Sequence, residues 1–236
     1  HSKVHPPGPI VILWVIGDVF RIVSYLIYVL PFEISLFNNT TSVISFGTIL
    51  FGATSVIPFY YWVRDLFDVR VAIHSTLLYV FVPTIVLFTA TSADITFMPF
   101  TLTTLFCFWR SITRGSFRYA LAGGVFYALC TLISFSLISI GAFFGLVGLW
   151  KLMRDETRLH VIVTASGMFI GLIATHFLIY FWSDFNVLHV FELSKTQFDT
   201  DQFNLDLYDP RSASWVFKFL NPLCWFYYAG IPISVL

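Results

Sequence analysis

The chain has 236 residues, 58% of them hydrophobic and 11% charged, with 28 Phe and a mean hydropathy of +0.83. Soluble domains carry about 25% charged residues, so an ordinary soluble fold is excluded and lipid must solvate most of the surface. Thirteen basic and thirteen acidic side chains cancel, which leaves no basic face to follow a phosphate backbone and argues against nucleic acid as a partner.

The chain opens on His1 rather than Met and stops inside an apolar run at Val235 and Leu236, so it reads as a piece cut from a longer protein. The cluster Pro6, Pro7 and Pro9 does not fit a signal peptide, which needs a basic start, an apolar stretch and a small-residue cleavage site. In His5-Pro6-Pro7-Gly8-Pro9 the prolines stiffen the approach to the next helix. They would hold His5 at the membrane surface, where an imidazole can donate to a phosphate or shuttle a proton. The plain alternative is a proline-rich helix start with an incidental histidine.

Apolar segments follow at 10–30, 42–63, 71–90, 95–109, 119–150, 160–182 and 214–236. None alternates with period two, so barrel strands are excluded and the fold reads as all-α. The expected architecture is a polytopic transmembrane helix bundle with short, partly kinked helices and interfacial segments on the outer face. Segment 10–30 holds Asp18 and Arg21 near its middle. Each costs roughly 2.5–3.5 kcal/mol at the bilayer centre, which about cancels the gain from the aliphatic and Phe side chains. It either spans or bends at Gly17-Asp18 and lies along the interface; the Asp–Arg spacing allows a pair on one helix, and the interfacial course is preferred. The run 119–150 would be about 48 Å long as one helix, well beyond the roughly 30 Å core, and Ser134-Phe135-Ser136 offers a break. Pro58, Pro83 and Pro99 fall inside expected spans, where each removes a donor and bends the helix.

Lys and Arg cluster at Arg64 and Arg70, at Arg110, Arg114 and Arg118, and at Lys151, Arg154 and Arg158. Short cytoplasmic loops carry such residues, so 64–70, 110–118 and 151–158 are assigned to the cytoplasm. The opposite side then receives 31–41, Asp94, the serine break and the connection 183–213. The regions expected are an outer proline-led interfacial or re-entrant segment at 1–41, a helical core at 42–182, an outer acidic loop at 183–213 and the start of another span at 214–236.

Several polar residues could carry chemistry. Asp94, in Thr91-Ser92-Ala93-Asp94, is a carboxylate at membrane depth, which implies a partner or a wet cavity; capping the following helix is a compatible role. The connection 183–213 holds Asp184, Glu192, Asp199, Asp201, Asp206 and Asp209 together with His189, Lys195 and Arg211, and its length suggests a functional, lid-like loop. Asp199, Asp201, Asn204 and Asp206 are spaced loosely like a calcium loop, but no glycine supplies the turn, and a solvated acidic surface is the simpler reading. Arg211 could pair with a lipid phosphate or snorkel to the interface. His74 and His176 lie within spans and read as packing histidines or intramembrane sites. Cys107, Cys130 and Cys224 have no metal or disulfide spacing and read as apolar fillers. Asn38-Asn39-Thr40-Thr41 contains N-x-T acceptors that matter only in a eukaryotic secretory pathway.

Taken in order, these features resemble the GT-C class of integral-membrane glycosyltransferases, such as protein mannosyltransferases and the bacterial enzymes that transfer aminoarabinose to lipid A. The resemblance rests on His5-Pro6-Pro7-Gly8-Pro9 before an apolar helix, Arg64 to Arg70 after the next span, and Thr91-Ser92-Ala93-Asp94 after the third apolar run. It continues through Arg110 to Arg118, Ser134-Phe135-Ser136, and Arg211-Ser212-Ala213-Ser214-Trp215 leading to Asn221 and Gly230-Ile231-Pro232. It implies sugar transfer from a polyprenyl-phosphate donor to a lipid, glycan or protein acceptor at the outer face of a bacterial inner membrane. It also implies that the catalytic carboxylate lies upstream of His1. His5 and Asp94 are then the catalytic candidates in this chain, Lys3 and Arg211 the donor-phosphate contacts, and His189 and Lys195 further outer-loop candidates. No cofactor is specified, and a divalent metal remains open. Two rival readings are a transporter or lipid flippase using Asp94, His74 and His176, and a non-catalytic membrane scaffold.

Overall fold

In hydrocarbon every backbone N–H and C=O must bond within the chain, which makes helices the solution for apolar runs of this length. The computed structural model describes residues 11–19, 22, 40–82, 93–154, 158–193 and 196. The helices are α1 (Thr40–Ala53), α2 (Val56–Leu66), α3 (Val69–Phe81), α4 (Met98–Arg114), α5 (Phe117–Ile133), α6 (Ser139–Met153) and α7 (Arg158–Ser183), with 3-10 turns at Ala93–Phe97 and Phe135–Ile138. Residues 11–19 and 187–193 are also helical, and no strand occurs among the described residues. Four stretches, Ile44–Leu66, Ile95–Arg114, Phe135–Met153 and Arg158–Ser183, are long and apolar enough to cross a membrane. The expected all-α polytopic bundle is what is observed.

The prolines act at helix ends and breaks rather than as gentle kinks. A turn at Thr54-Ser55 separates α1 from α2. Pro58 has no N–H to give the Thr54 carbonyl, and Ile57 N takes that oxygen instead at 3.1 Å. Helix α3 stops at Phe81, with Val82 extended (φ −59°, ψ 121°), as expected for a residue ahead of proline; the rest of the expected span 71–90, Pro83 included, lies outside the described residues. Pro99 sits in the first turn of α4, where a missing N–H costs nothing, and α4 runs on to Arg114 rather than ending at 109. Gly17 and Asp18, where a bend is expected, both lie within the helix 11–19. The run 119–150 does divide as anticipated, with Ser134 extended (φ −151°, ψ 129°) between α5 and the second 3-10 turn.

The chain reverses direction after α2, after α4 and after α6, so one end of the bundle gathers the charges. Asp68 caps α3 by accepting from Val71 N at 2.8 Å. Gly115, left-handed at φ 64°, closes α4 and turns the chain into α5. All Lys and Arg side chains of the described residues lie at this end, hereafter the arginine end. Here Arg110 Nε donates to Asp65 and its Nη1 donates to the Tyr119 hydroxyl at 2.6 Å. Arg114 adds a second cation 3.6 Å from Asp65, and the Asp65 side chain is 11% exposed. This joins α2, α4 and α5. Above it, the buried Ser111 hydroxyl bonds the Ser116 carbonyl at 3.1 Å and the Thr164 hydroxyl at 2.8 Å, joining α7.

The tightest helix pair is α5 with α7. Small residues let backbones approach where hydrocarbon provides no hydrophobic drive to association. A Cβ on Gly124 would stand 2.8 Å from the Met168 carbonyl carbon and 2.9 Å from its Cα, and closer still to its oxygen. One on Gly171 would be 3.1 Å from the Gly124 Cα. Phe108, Ile112, Phe144 and Val161 form the buried core beside this crossing, with Phe108 and Phe144 stacked at 4.2 Å.

Candidate functional site

At the end opposite the arginines, four parts of the chain converge. Helix 11–19 supplies Val11 and Ile12, α4 supplies Phe100, α5 supplies Leu132 and Ile133, and the end of α7 supplies Ile179, Trp182 and Ser183; these line a cavity of about 440 Å³ that Phe185 completes. Helix 11–19 then reaches α1, where a Cβ on Gly17 would lie 3.5 Å from Ile44. Trp182 is 91% exposed beside an equally open Phe181, which suits the aromatic belt at a membrane–water boundary.

The cavity wall is apolar and its surroundings are polar. The Ser134 and Ser136 hydroxyls bond each other at 2.8 Å at the end of α5. Beneath them the Thr131 hydroxyl donates to the Ala128 carbonyl at 2.8 Å, so at its 3.1 Å contact with Thr131 the His176 Nε2 must be the donor. That assigns the tautomer and leaves His176 Nδ1 as a buried acceptor without a partner among the described residues. His176 is thus tied to α5, as a packing histidine would be. His74 is exposed on α3, near the arginine end, with Nδ1 2.7 Å from the Arg70 carbonyl of its own helix. The two histidines therefore lie apart, on opposite halves of the bundle. Buried Cys130 lies 3.8 Å from the Thr101 and Thr104 hydroxyls, which agrees with an inert apolar filler.

The 3-10 turn Ala93–Phe97 carries Asp94 at this same end and leads directly into α4. The expected capping role is corrected: Phe97, not Asp94, occupies the N-cap of α4, and it makes no side-chain cap bond. Ile95 anchors the turn, since a Cβ on Gly52 would fall 3.3 Å from Ile95 Cγ2 and closer still to Cγ1. The connection after α7 is not simply a loop. Asp184 adopts a left-handed φ of 53°, and Asn186 Oδ1 accepts from Leu188 N at 3.1 Å and His189 N at 3.2 Å, starting the helix 187–193. Phe191 packs edge-on against Phe135 at 5.4 Å, which pins this helix to the serine break and holds exposed His189 at the same end. Lys3, His5, Lys195 and Arg211 lie outside the described residues, as do the calcium-like Asp199–Asp206 spacing, Asn38-Asn39 and Cys224. Among the described residues no three His, Cys, Asp or Glu side chains converge as a metal site.

An apolar cavity of this size, with Ser183 in its wall, can hold a hydrocarbon chain. A profile of the family described as dolichyl-phosphate-mannose-protein mannosyltransferase matches residues 22–181. The chain belongs to that family. It is an integral membrane glycosyltransferase, and the GT-C resemblance seen in the sequence is shown by this match. The matched residues include Asp94 and the serine break but neither the His5 element nor Arg211. No match was found among curated proteins or among solved structures.

The Asp65–Arg110–Tyr119 unit, the Thr131–His176 bond and the Phe135–Phe191 contact were not foreseen. Their partners stand 45, 45 and 56 positions apart, and no periodicity links them.

Proposed function

We propose that this protein transfers a sugar from a polyprenyl-phosphate donor to a lipid, glycan or protein acceptor at the end of the bundle opposite the arginines, which is the outer face of a bacterial inner membrane. One observation carries the reading: the start of helix 11–19, directly after the His5-Pro6-Pro7-Gly8-Pro9 element, the α4 wall that follows Asp94, and the end of α7 share one apolar cavity. The donor's tail enters from the bilayer and its phosphate stays at the rim. The basic loops at the arginine end support this orientation, since short basic loops stay cytoplasmic.

The chemistry is one of positioning. A carboxylate activates the acceptor nucleophile, and cationic or hydrogen-bonding groups stabilise charge on the departing lipid phosphate. His5, Lys3 and Arg211 are the phosphate contacts, Asp94 orients one of them or lines the acceptor path, and His189 and Lys195 approach from the late connection. The outer-face segment 1–41, the core 42–182 and the acidic segment 183–213 are the corresponding functional regions.

The test is sugar transfer by the full-length enzyme in lipid, supplied with labelled prenyl-phosphate sugars. His5→Ala and Asp94→Ala should each lower the rate about 10²-fold or more at unchanged expression. Wild-type rates in both variants remove these residues from the site.

A further inference from the structure

The apolar cavity at the end opposite the arginines is shallow. Its α5 wall runs from Leu129 to Ile133 and its α7 wall from Ile179 to Ser183, so at 1.5 Å per residue each wall is about 6 Å deep, little more than one helical turn. Below that level the bundle is closed. Phe100, in the α4 wall, packs against Phe51 of α1 at 5.5 Å and Phe126 of α5 at 6.3 Å. One turn deeper on α4, Thr104 is fully buried, as are Ala128 and Cys130 of α5, and the Thr104 hydroxyl meets the Cys130 sulfur at 3.8 Å. His176, below Ile179 on α7, is bonded to Thr131 of α5 at 3.1 Å. An interior packed at this density leaves no room for a chain to run on toward the middle of the bilayer.

A cavity of about 440 Å³ with a sealed floor has a fixed capacity. A methylene group takes about the room of one molecule of liquid water, roughly 30 Å³, so the cavity holds about fifteen carbons. None of its lining residues is charged, and the Ser183 hydroxyl already donates to the Ile179 carbonyl at 2.6 Å. A sugar or a phosphate would lose its water there without compensation, so the cavity takes hydrocarbon and leaves the polar part of a donor outside.

We propose that this cavity reads only the first three isoprene units of the donor's tail, those nearest the phosphate, and that Phe100 and Leu129, at its floor, set the limit. The inference rests on the reading of the cavity as the donor site, and the family's description, which names a dolichyl-phosphate sugar, supports a prenyl chain as the occupant. Five carbons per unit make three units the number that fills the space. The fourth unit and those beyond it turn out into the bilayer, where lipid tails are as apolar as the protein and further contact with it gains nothing. The enzyme therefore does not distinguish donors of three units or more, and it disfavours shorter ones, which leave part of the cavity empty.

The experiment uses the full-length enzyme in lipid nanodiscs with prenyl-phosphate sugars of one, three, four and eleven isoprene units, compared at equal mole fraction in the membrane. The kcat/KM should agree within about twofold from three units upward and be about tenfold or more lower for one unit, since a single missing methylene in an apolar pocket is worth about tenfold. An eleven-unit donor carrying a diazirine on its second unit should, on irradiation, label residues 129–133 or 179–185, and Leu129→Trp, which fills the floor, should lose that label. The same group on the seventh unit should label lipid and spare this wall. A kcat/KM that still rises from four units to eleven overturns the proposal, as do equal values for one and three units, a seventh-unit label in the wall, or a second-unit label unchanged in Leu129→Trp. If that variant does not fold, the two probes on the wild type decide the matter. Sugar transfer without a second-unit label in the wall refutes this inference and leaves the transferase reading standing, whereas no transfer from any prenyl donor refutes both.

Discussion

Replacing Gly124 by alanine adds one methyl group at the point where α5 and α7 touch through their backbones. That methyl would stand 2.8 Å from the Met168 carbonyl carbon and 2.9 Å from its Cα, where ordinary contact begins at 3.4 Å. Met168 cannot yield by rotating a side chain, because the obstructing atoms are main chain, so the helices must separate by several tenths of an ångström. Overpacking of this kind costs about 1–3 kcal/mol. Alanine recovers up to about 1 kcal/mol of helix propensity, which leaves a net loss of up to about 2 kcal/mol and a gap of about 1–3 kcal/mol from a substitution that gains propensity alone. Gly145→Ala is the matched control: its Cβ enters open space, so only the propensity gain remains. Gly171→Ala shares the crossing, its Cβ falling 3.1 Å from the Gly124 Cα. Once the first substitution has moved the helices apart the second should cost less, and the double variant should fall short of additivity by at least about 0.5 kcal/mol. Reversible unfolding in mixed micelles, followed by far-UV circular dichroism, measures the four variants against the wild type. A Gly124→Ala protein as stable as Gly145→Ala would refute the close-packed crossing.

Arg110→Met leaves the 11% exposed Asp65 carboxylate with only the more distant Arg114; the cost of breaking a buried pair is about 3–5 kcal/mol, reduced here to about 1–3 by that second cation. Unfolding midpoints should show the loss, and Asp65→Asn added to Arg110→Met should recover most of it. Gly115→Ala must hold a φ of 64° and push aside the His160 ring, whose Nε2 would be 2.8 Å from the new methyl, so it should lose about 1–2 kcal/mol in the same assay. Thr131→Val removes the acceptor for His176 Nε2 and should cost about 0.6–1.7 kcal/mol, the range for hydrogen bonds between membrane helices; His176→Ala combined with it should add little on the hydrogen-bond term, and full additivity would show the bond to be absent.

The reach of the sequence differs from feature to feature. Ser134-Phe135-Ser136 was legible as a break because one helix over 119–150 exceeds the bilayer, and the structure places the break there. Pro83 and Pro99 were visible as residues, but whether a proline kinks, ends or begins a helix depends on where the neighbouring backbone finds its bonds. Gly17-Asp18 looked like a hinge, yet both residues are helical, since a mid-helix glycine costs only about 1 kcal/mol. Asp94 stands in the turn before α4, at the end away from the arginines, and not at the N-cap position of that helix, because this turn is 3-10. The partners that the described residues meet were not legible.

Composition and charge spacing alone determined that this chain is helical, lives in lipid and reverses direction at three basic loops, because hydrocarbon forbids unpaired backbone and the interface sorts Lys and Arg. Which helices touch was decided only by the tertiary structure. Lipid tails are as apolar as the helices, so pairing in the bilayer rests on fit: the bare faces of Gly124 and Gly171, the forked Arg110 on Asp65, and the convergence of residues 11 and 12 with the ends of α5 and α7. Fit of that kind is a property of surfaces brought together, and no single segment carries it.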